Sequence, residues 1–312
     1  MMRVLVTGGR GLVGSAVRAT QPAGVSVEFA ASDRADLRDA AATAALFESV
    51  RPTHVIHLAA RVGGVKANIE GVGSFYHDNI LINTNVLEYA RQAGVSRVVS
   101  LLSSCNYPDG APLPLKETDL HRGEPHSSNF GYAYAKRMLE VQSRAYRQQY
   151  GCDYICIIPN NLYGPDDNFD LESGHVIPAM IRKIHAAATG GPPPVLWGDG
   201  TPLREFTFSH DIAAALWWAL TDCREPLLNV GTSEEVSIRQ TAAMICQAID
   251  FNPERLIWDT TKPAGQHRKP MDTTRFRAIS KHVFTPLDQG IRQTVEWYAA
   301  RYPNVRGVES AE

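Results

Sequence analysis

The chain has 312 residues, 44% of them hydrophobic and 21% charged, with 24 Gly, 19 Pro and a formal net charge of -2. This composition excludes intrinsic disorder, a collagen-like fibre and a low-complexity scaffold, and the near-neutral balance argues against nucleic acid or an acidic membrane as a bulk partner. A single core stops growing at roughly 250 to 300 residues, so one large domain with a smaller lobe is expected.

From the N-terminus, short Val/Ile-rich runs bounded by turn residues predict buried strands at Arg3 to Thr7, Val25 to Ala31, Thr53 to Leu58, Arg97 to Ser103 and Asp153 to Pro159. Helices are predicted between them at Val13 to Thr20, Ala40 to Val50, Asn79 to Ala93 and Tyr132 to Tyr150. Strict alternation of strand and helix implies an α/β fold, a doubly wound Rossmann-type parallel sheet, because parallel neighbours need a crossover. The run Leu227 to Val230 adds a further strand. After Pro165 the connections become rich in Pro and Gly, which marks a smaller C-terminal α/β lobe. The expected division is residues 1–165, with about 207–231 returning to them, against 166–206 and 232–312. The tail from Asn304 is expected to fray.

No apolar run approaches the ~18 to 20 residues that span a bilayer, and the opening Met1-Met2-Arg3-Val4-Leu5-Val6 lacks a cleavage pattern, so a cytoplasmic protein is expected. Five scattered cysteines (105, 152, 156, 223, 246) suggest neither a disulfide framework nor a metal site, and four of them read as small core residues.

Directly after the first strand stands Gly8-Gly9-Arg10-Gly11-Leu12-Val13-Gly14. A glycine turn feeding a helix lets backbone amides and the positive end of the helix dipole approach a pyrophosphate, which implies a dinucleotide. The second strand ends in Ser32-Asp33-Arg34. Two readings follow: Ser32, Arg10 and Arg34 admit the 2'-phosphate of NADP, or Asp33 takes the ribose of NAD while the arginines stay solvated. NADP is the preferred one. Asp36 and Leu37 are spaced to reach the adenine.

Tyr132 and Lys136 lie four apart, on one helix face, after a strand that ends in Ser103-Ser104-Cys105. The pair alone is a weak signal, but its place after the fourth strand is where binding residues of an open parallel sheet collect. A tyrosine titrates near ~10, so a neighbouring ammonium must stabilise its phenolate, and Ser103 then shares a carbonyl oxygen with it. In an extended segment Ser103 and Cys105 would point the same way. Cys105 is then either a base beside the carbonyl or an inert, half-buried thiol.

Together with His57-Leu58-Ala59-Ala60 and Asn161-Leu162-Tyr163-Gly164-Pro165, these motifs resemble the extended short-chain dehydrogenase/reductases that act on nucleotide sugars. More narrowly, Arg61-Val62-Gly63-Gly64, Ser103 to Pro108, Asp167-Asn168-Phe169, Gly174 to Pro178 and Trp197 to Phe206 are similar to the GDP-L-fucose synthase group. The resemblance implies C3/C5 epimerisation of GDP-4-keto-6-deoxy-mannose followed by reduction of C4 with NADPH, in a homodimer paired through the two long helices. It implies that Ser103 and Tyr132 bind the C4 oxygen, that Cys105 removes the protons and that His175 returns them. Without the resemblance His175 reads as a helix-entry residue. Ala59, Leu101, Leu102, Lys136, Pro159, Asn160, Asn161, Leu162 and His175 would line the cofactor, and Lys183, Trp197, Arg204 and Lys269 the GDP. Lys183 stands where bacterial members often have Arg, Asn106 replaces an apolar residue and Asn160 replaces Thr. The alternatives are a nucleotide-sugar 4-epimerase or 4-keto reductase, and a non-catalytic NADP-binding regulator, which the presence of Tyr132 and Lys136 disfavours.

Overall fold

The structure, a computed structural model, describes residues 2–262 and 267–308. The first part alternates as expected: β1 (Arg3–Thr7), α1 (Leu12–Ala19), β2 (Ser26–Ala30), α2 (Ala40–Val50), β3 (His54–His57), α3 (Val65–Glu70), α4 (Val72–Gln92), β4 (Arg97–Leu101), α5 (Phe130–Tyr150) and β5 (Tyr154–Pro159). It continues with β6 (Asn161–Tyr163), α6 (Val176–Ala188), β7 (Val195–Trp197), β8 (Leu203–Phe208), α7 (Ser209–Thr221) and β9 (Leu227–Val230). The remainder is β10 (Glu235–Ser237), α8 (Ile238–Ile249), β11 (Ile257–Asp259), α9 (Thr274–Ile279) and α10 (Leu287–Arg301).

Six strands form one parallel sheet in the order β2-β1-β3-β4-β5-β9. The chain therefore winds outward from β1 in both directions, and the crevice where the winding reverses lies at the C-terminal ends of the central strands. Alternation along β1 shows how the sheet is covered. Val4 and Val6 pack with Val13 and Val17 of α1 and with Ile212 and Leu216 of α7, whereas Leu5 faces the other side with Phe47, Val86, Leu87 and Leu139. Burying each such side chain contributes roughly 1.5 to 3 kcal/mol, which fixes the register on both faces.

A third core belongs to the smaller lobe, where Tyr163, Phe206 and Phe208 meet Ile177, Ile181 and Ile184 of α6 and Ile291, Val295 and Tyr298 of α10. Its mixed sheet runs β10-β8-β6, and β7 pairs with β11. The strand β6, on the N-terminal side of the boundary placed at residue 165, pairs in this second sheet.

Several expectations are corrected. The helix expected from Asn79 begins at Val72, because Phe75, one turn earlier, and Asp78, the residue before, already turn inward. The strand expected to reach Ser103 ends at Leu101, and residues Ser104–Asn106 form a 3-10 turn. Cys152, expected in the core, is only half-buried, since it sits in the connection between α5 and β5, whereas Cys156, Cys223 and Cys246 are buried. From Asn304 to Val308 the tail does not fray: Val305 is buried, the Phe169 amide donates to the Arg306 carbonyl at 2.9 Å and Arg182 donates to the Gly307 carbonyl at 2.6 Å, while residues 309–312 of that expectation lie outside the described residues. Among the described residues, no helix is long and apolar enough to cross a membrane.

Candidate active site

The glycine turn divides its three motif glycines by cause. Gly8 has φ +74°, and a Cβ there would stand 2.8 Å from the Ala59 amide nitrogen; one at Gly14 would meet Gly9 Cα at 2.7 Å. Those two are needed for packing of turn, strand and helix. Gly11 is different, because a Cβ there would meet nothing nearer than the Gly8 carbonyl at 3.5 Å. The protein itself leaves that space open, beside first-turn amides of α1 that have no helical carbonyl to bond. Leu12, Val13 and Gly14 open this helix. The arrangement fits a dinucleotide pyrophosphate.

At the end of β2 Ser32 is exposed and Asp33 is held by Arg10 at 2.5 Å. That ion pair engages the carboxylate an NAD ribose would need and holds a cation beside Ser32. Arg34 is exposed, 3.9 Å from Glu28. The Asp36 carboxylate accepts from the Arg38 amide and guanidinium, which hold its pKa down at about 2, so Arg38 engages it, while Leu37 is buried.

Ser103 and Cys105 come together through a 3-10 turn rather than a strand pleat. Ser103 caps that turn, its Oγ accepting from the Cys105 amide at 3.2 Å. Tyr132, in the first turn of α5, is within hydrogen-bonding reach of Ser103 and close enough to Cys105 to feel a thiolate there. Burial pushes the Tyr132 phenol well above its ordinary range; the Cys105 charge adds to that and the Ser103 hydroxyl opposes it. One turn on, Lys136 is buried and its Nζ donates to the Leu101 carbonyl at 2.8 Å. Desolvation brings the Lys136 ammonium down to about 8, so it is cationic at neutral pH. Leu101 and Leu102 are buried at this strand end, and Ala59 lines the neighbouring one.

Arg204, near the start of β8, is half-buried and within electrostatic reach of Cys105. Cys105 therefore stands between the Ser103–Tyr132 pair and a cation from the second lobe. Lys183, on α6, donates to the Val195 carbonyl at 2.8 Å, two residues before Trp197. Trp197 is 61% exposed, which removes the core-aromatic reading, and the Lys262 ammonium lies over its ring, 6.0 Å from the centroid. Lys269 lies in the segment that runs beside β8, whose ends are tied where Leu203 donates to His267 at 2.9 Å and Met271 donates to Glu205 at 3.1 Å. His175 occupies the N-cap of α6 without a capping hydrogen bond. Surrounding protein, with the Arg306 charge, lowers its pKa, although the ring is solvent-exposed and water screens part of that effect. No hydrogen bond among the described residues joins His175 to Cys105 or Tyr132; His175 and Cys105 are carried by different parts of the chain, at the start of α6 and after β4. Pro159 and Asn160 are buried at the end of β5, with Asn161 and Leu162 following in β6, and Asn161 donates to the Glu205 carbonyl at 2.8 Å.

Some contributors were not read from the sequence. Arg137, beside Lys136, donates to the Asn106 carbonyl at 2.5 and 3.1 Å and to the Gly123 carbonyl at 2.8 Å, fastening the turn that carries Cys105. His57 bonds Thr7 at 2.8 Å and Asn83 at 3.1 Å, and Asn83 donates to the Ala135 carbonyl at 3.1 Å, tying β1 and β3 to α5. Burial lowers the His57 pKa to about 3, so it is a neutral strut. A polar residue on the inward face of an apolar helix, such as Asn83, was the available signal.

Comparison with known proteins agrees with this geometry. The model of the NAD dependent epimerase/dehydratase family matches residues 4–231. A GDP-L-fucose synthase of Dictyostelium discoideum is 42% identical, over 97% of this chain and 97% of its own length. One of Escherichia coli is 36% identical, over 98% and 99%. The crystal structure of a GDP-L-fucose synthetase from Naegleria fowleri bound to NADP superposes with a TM-score of 0.91 at 39% identity, covering 98% of this chain and 95% of that one. With the open glycine turn and the Tyr132–Lys136 helix beneath the same sheet, the chain belongs to the NAD dependent epimerase/dehydratase family.

Proposed function

We propose that this chain converts GDP-4-keto-6-deoxy-D-mannose to GDP-L-fucose, by epimerisation at C3 and C5 and then reduction at C4 with NADPH. The observation that carries the reading is the meeting of Cys105 with both the Ser103–Tyr132 pair and Arg204. A plain reductase needs Ser103 and Tyr132 but has no work for a thiol between them and a substrate-side cation.

The chemistry follows from the residues. The C3 and C5 protons are both α to the C4 ketone, so whatever holds the C4 oxygen stabilises either enolate. Ser103 and Tyr132 hold that oxygen. Cys105 takes a proton from one face and His175 returns one from the other. Lys136, one turn along the same helix, would supply positive charge toward the phenolate that burial disfavours. The first-turn amides of α1, with Ser32, Arg10, Arg34, Lys136 and the stretch Pro159 to Leu162, would hold NADPH, which when bound supplies the hydride for C4. Lys183, Arg204 and Lys269 face the GDP diphosphate, and Trp197 its base or ribose.

The test is to offer GDP-4-keto-6-deoxy-D-mannose with NADPH and identify the product by NMR. The L-fuco configuration is expected; a C4-reduced sugar that retains its C3 and C5 configurations would overturn the reading. The protein is also inferred to be a cytoplasmic homodimer. Five unpaired thiols suit a reducing compartment. Val72 and Tyr76 on α4 and Phe130 on α5 are large exposed apolar side chains on the two helices that pack along each other. Light scattering should read twice the 34.3 kDa chain mass, and a monomer at micromolar concentration would count against the pairing.

A further inference from the structure

The segment that carries Lys269 is held from two sides. On one side is the Leu115 stretch, where the Leu115 amide donates to the Pro270 carbonyl and the Asp272 amide to the Leu115 carbonyl, both at 2.9 Å. On the other lie β8 and β10, an antiparallel pair that brings Glu205 and Glu235 directly opposite each other, so both side chains leave the same face. Two carboxylates in that arrangement repel, and the strand pairing itself has no use for them. Both are turned toward the segment instead. The Glu235 carboxylate takes the Arg268 guanidinium in a fork, with Nε at 2.8 Å from each oxygen and Nη2 completing the pair. The buried Glu205 carboxylate accepts from the Met271 amide at 3.1 Å. Lys269 lies between these two points of attachment and is half-buried.

We propose that Glu205 and Glu235 are positioning residues that act through Lys269: as a two-point clamp they fix the main chain at Arg268 and Met271, and so set where the Lys269 ammonium meets the substrate diphosphate. This rests on a GDP-sugar being the substrate, as proposed above. Lysine is a point charge on a flexible stem, so its hold on a diphosphate depends on how firmly its backbone is placed. Glu205 also links this end of the site to the other, since its carbonyl accepts from Asn161 of the cofactor stretch at 2.8 Å and its chain neighbour is Arg204. The two arms of the clamp differ in kind. The Glu205 bond is buried and shielded from salt, whereas the Arg268 side chain is exposed, so the arm through Glu235 is screened.

The experiment measures GDP affinity of the full chain by titration calorimetry, together with amide hydrogen exchange over residues 267–272. Glu205→Leu keeps the volume and removes the acceptor, Glu205→Ala removes it and lets water reach the Met271 amide, and Glu205→Gln retains it. The first two should weaken GDP binding about tenfold, the range for one lost buried hydrogen bond, and speed exchange in the segment while NADPH affinity holds. Glu205→Gln should restore both readings. Glu235→Gln should weaken GDP by about threefold or less, a difference that 0.5 M NaCl shrinks. With Lys269→Ala already in place, Glu205→Leu should weaken GDP little further, because the clamp then has no ammonium to place. In turnover the loss should fall on KM for the GDP-sugar and not on kcat. Unchanged exchange in both acceptor-free variants would overturn the proposal. So would faster exchange with GDP affinity intact, or equal losses with and without Lys269, either of which would make Glu205 a strut of the fold alone. A parent chain that binds no GDP would overturn the substrate reading and the clamp with it, whereas a parent that forms GDP-L-fucose while the variants match its GDP affinity would overturn the clamp alone.

Discussion

At the scale of the residue, the decisive group is Cys105. A free cysteine in an α/β protein is usually an inert core side chain, and three of the five here are buried. Cys105 departs from them by being half-exposed, by sitting on a turn capped by Ser103 and by lying between Tyr132 and Arg204. Replacing its sulfur with oxygen preserves shape and the backbone bond to Ser103 while exchanging a thiol for an alcohol, a far weaker acid and so a poor source of a basic anion. Cys105→Ser is therefore expected to slow solvent deuterium incorporation at C3 and C5 by ~100-fold or more, the range for loss of a general base, while NADPH binding stays intact. Mass spectrometry of the recovered keto sugar reads the first and fluorescence titration the second. Undiminished exchange would move the base role elsewhere.

At the scale of the element, what was legible followed from short-range pattern. β1, α2 and β9 have the bounds that apolar runs and turn residues imply, and the Tyr132–Lys136 face follows from helical spacing alone. Where pattern gave way, a longer-range contact had taken over. The strand through Ser103 looked continuous because Leu101 and Leu102 are apolar, but Ser103 is drawn into a cap and Arg137, from a helix more than thirty residues later, fastens the turn. Strand pleating was the wrong reason for Ser103 and Cys105 to meet. The cations of the second lobe were visible only through resemblance, since a lone Lys183 or Lys269 carries no periodic signal. The tail was misread for the same reason: it is anchored by the Phe169 amide and the Arg182 guanidinium, more than a hundred positions away, and composition does not encode that.

At the scale of the whole molecule, the second lobe carries two buried carboxyls whose charge the fold does not fully compensate. Glu205, on β8, accepts from the Met271 amide and is pushed up to about 7 by burial, and Asp167 behaves likewise. In Asp167 one oxygen accepts from the Asn168 amide at 2.7 Å and the other is buried with no hydrogen-bond partner among the described residues. Burial raises its pKa from 3.8 to about 7, with the Asn168 bond and Arg306 opposing the rise. The sign of the linkage is then fixed. Between those values the unfolded chain has released the proton and the native protein retains it, so stability falls as pH rises through the window, and the cost is complete above about 7. A shift of this size corresponds to an upper bound of about 4 kcal/mol. Asp167→Asn keeps an acceptor for the Asn168 amide and has no charge to bury. Urea unfolding at pH 5 and pH 8 should show the parent losing more stability over that interval than the variant, with the variant the more stable at pH 8. Parallel losses in the two proteins would mean that Asp167 ionises in the native state without this cost, and that the loop beneath His175 is open to water.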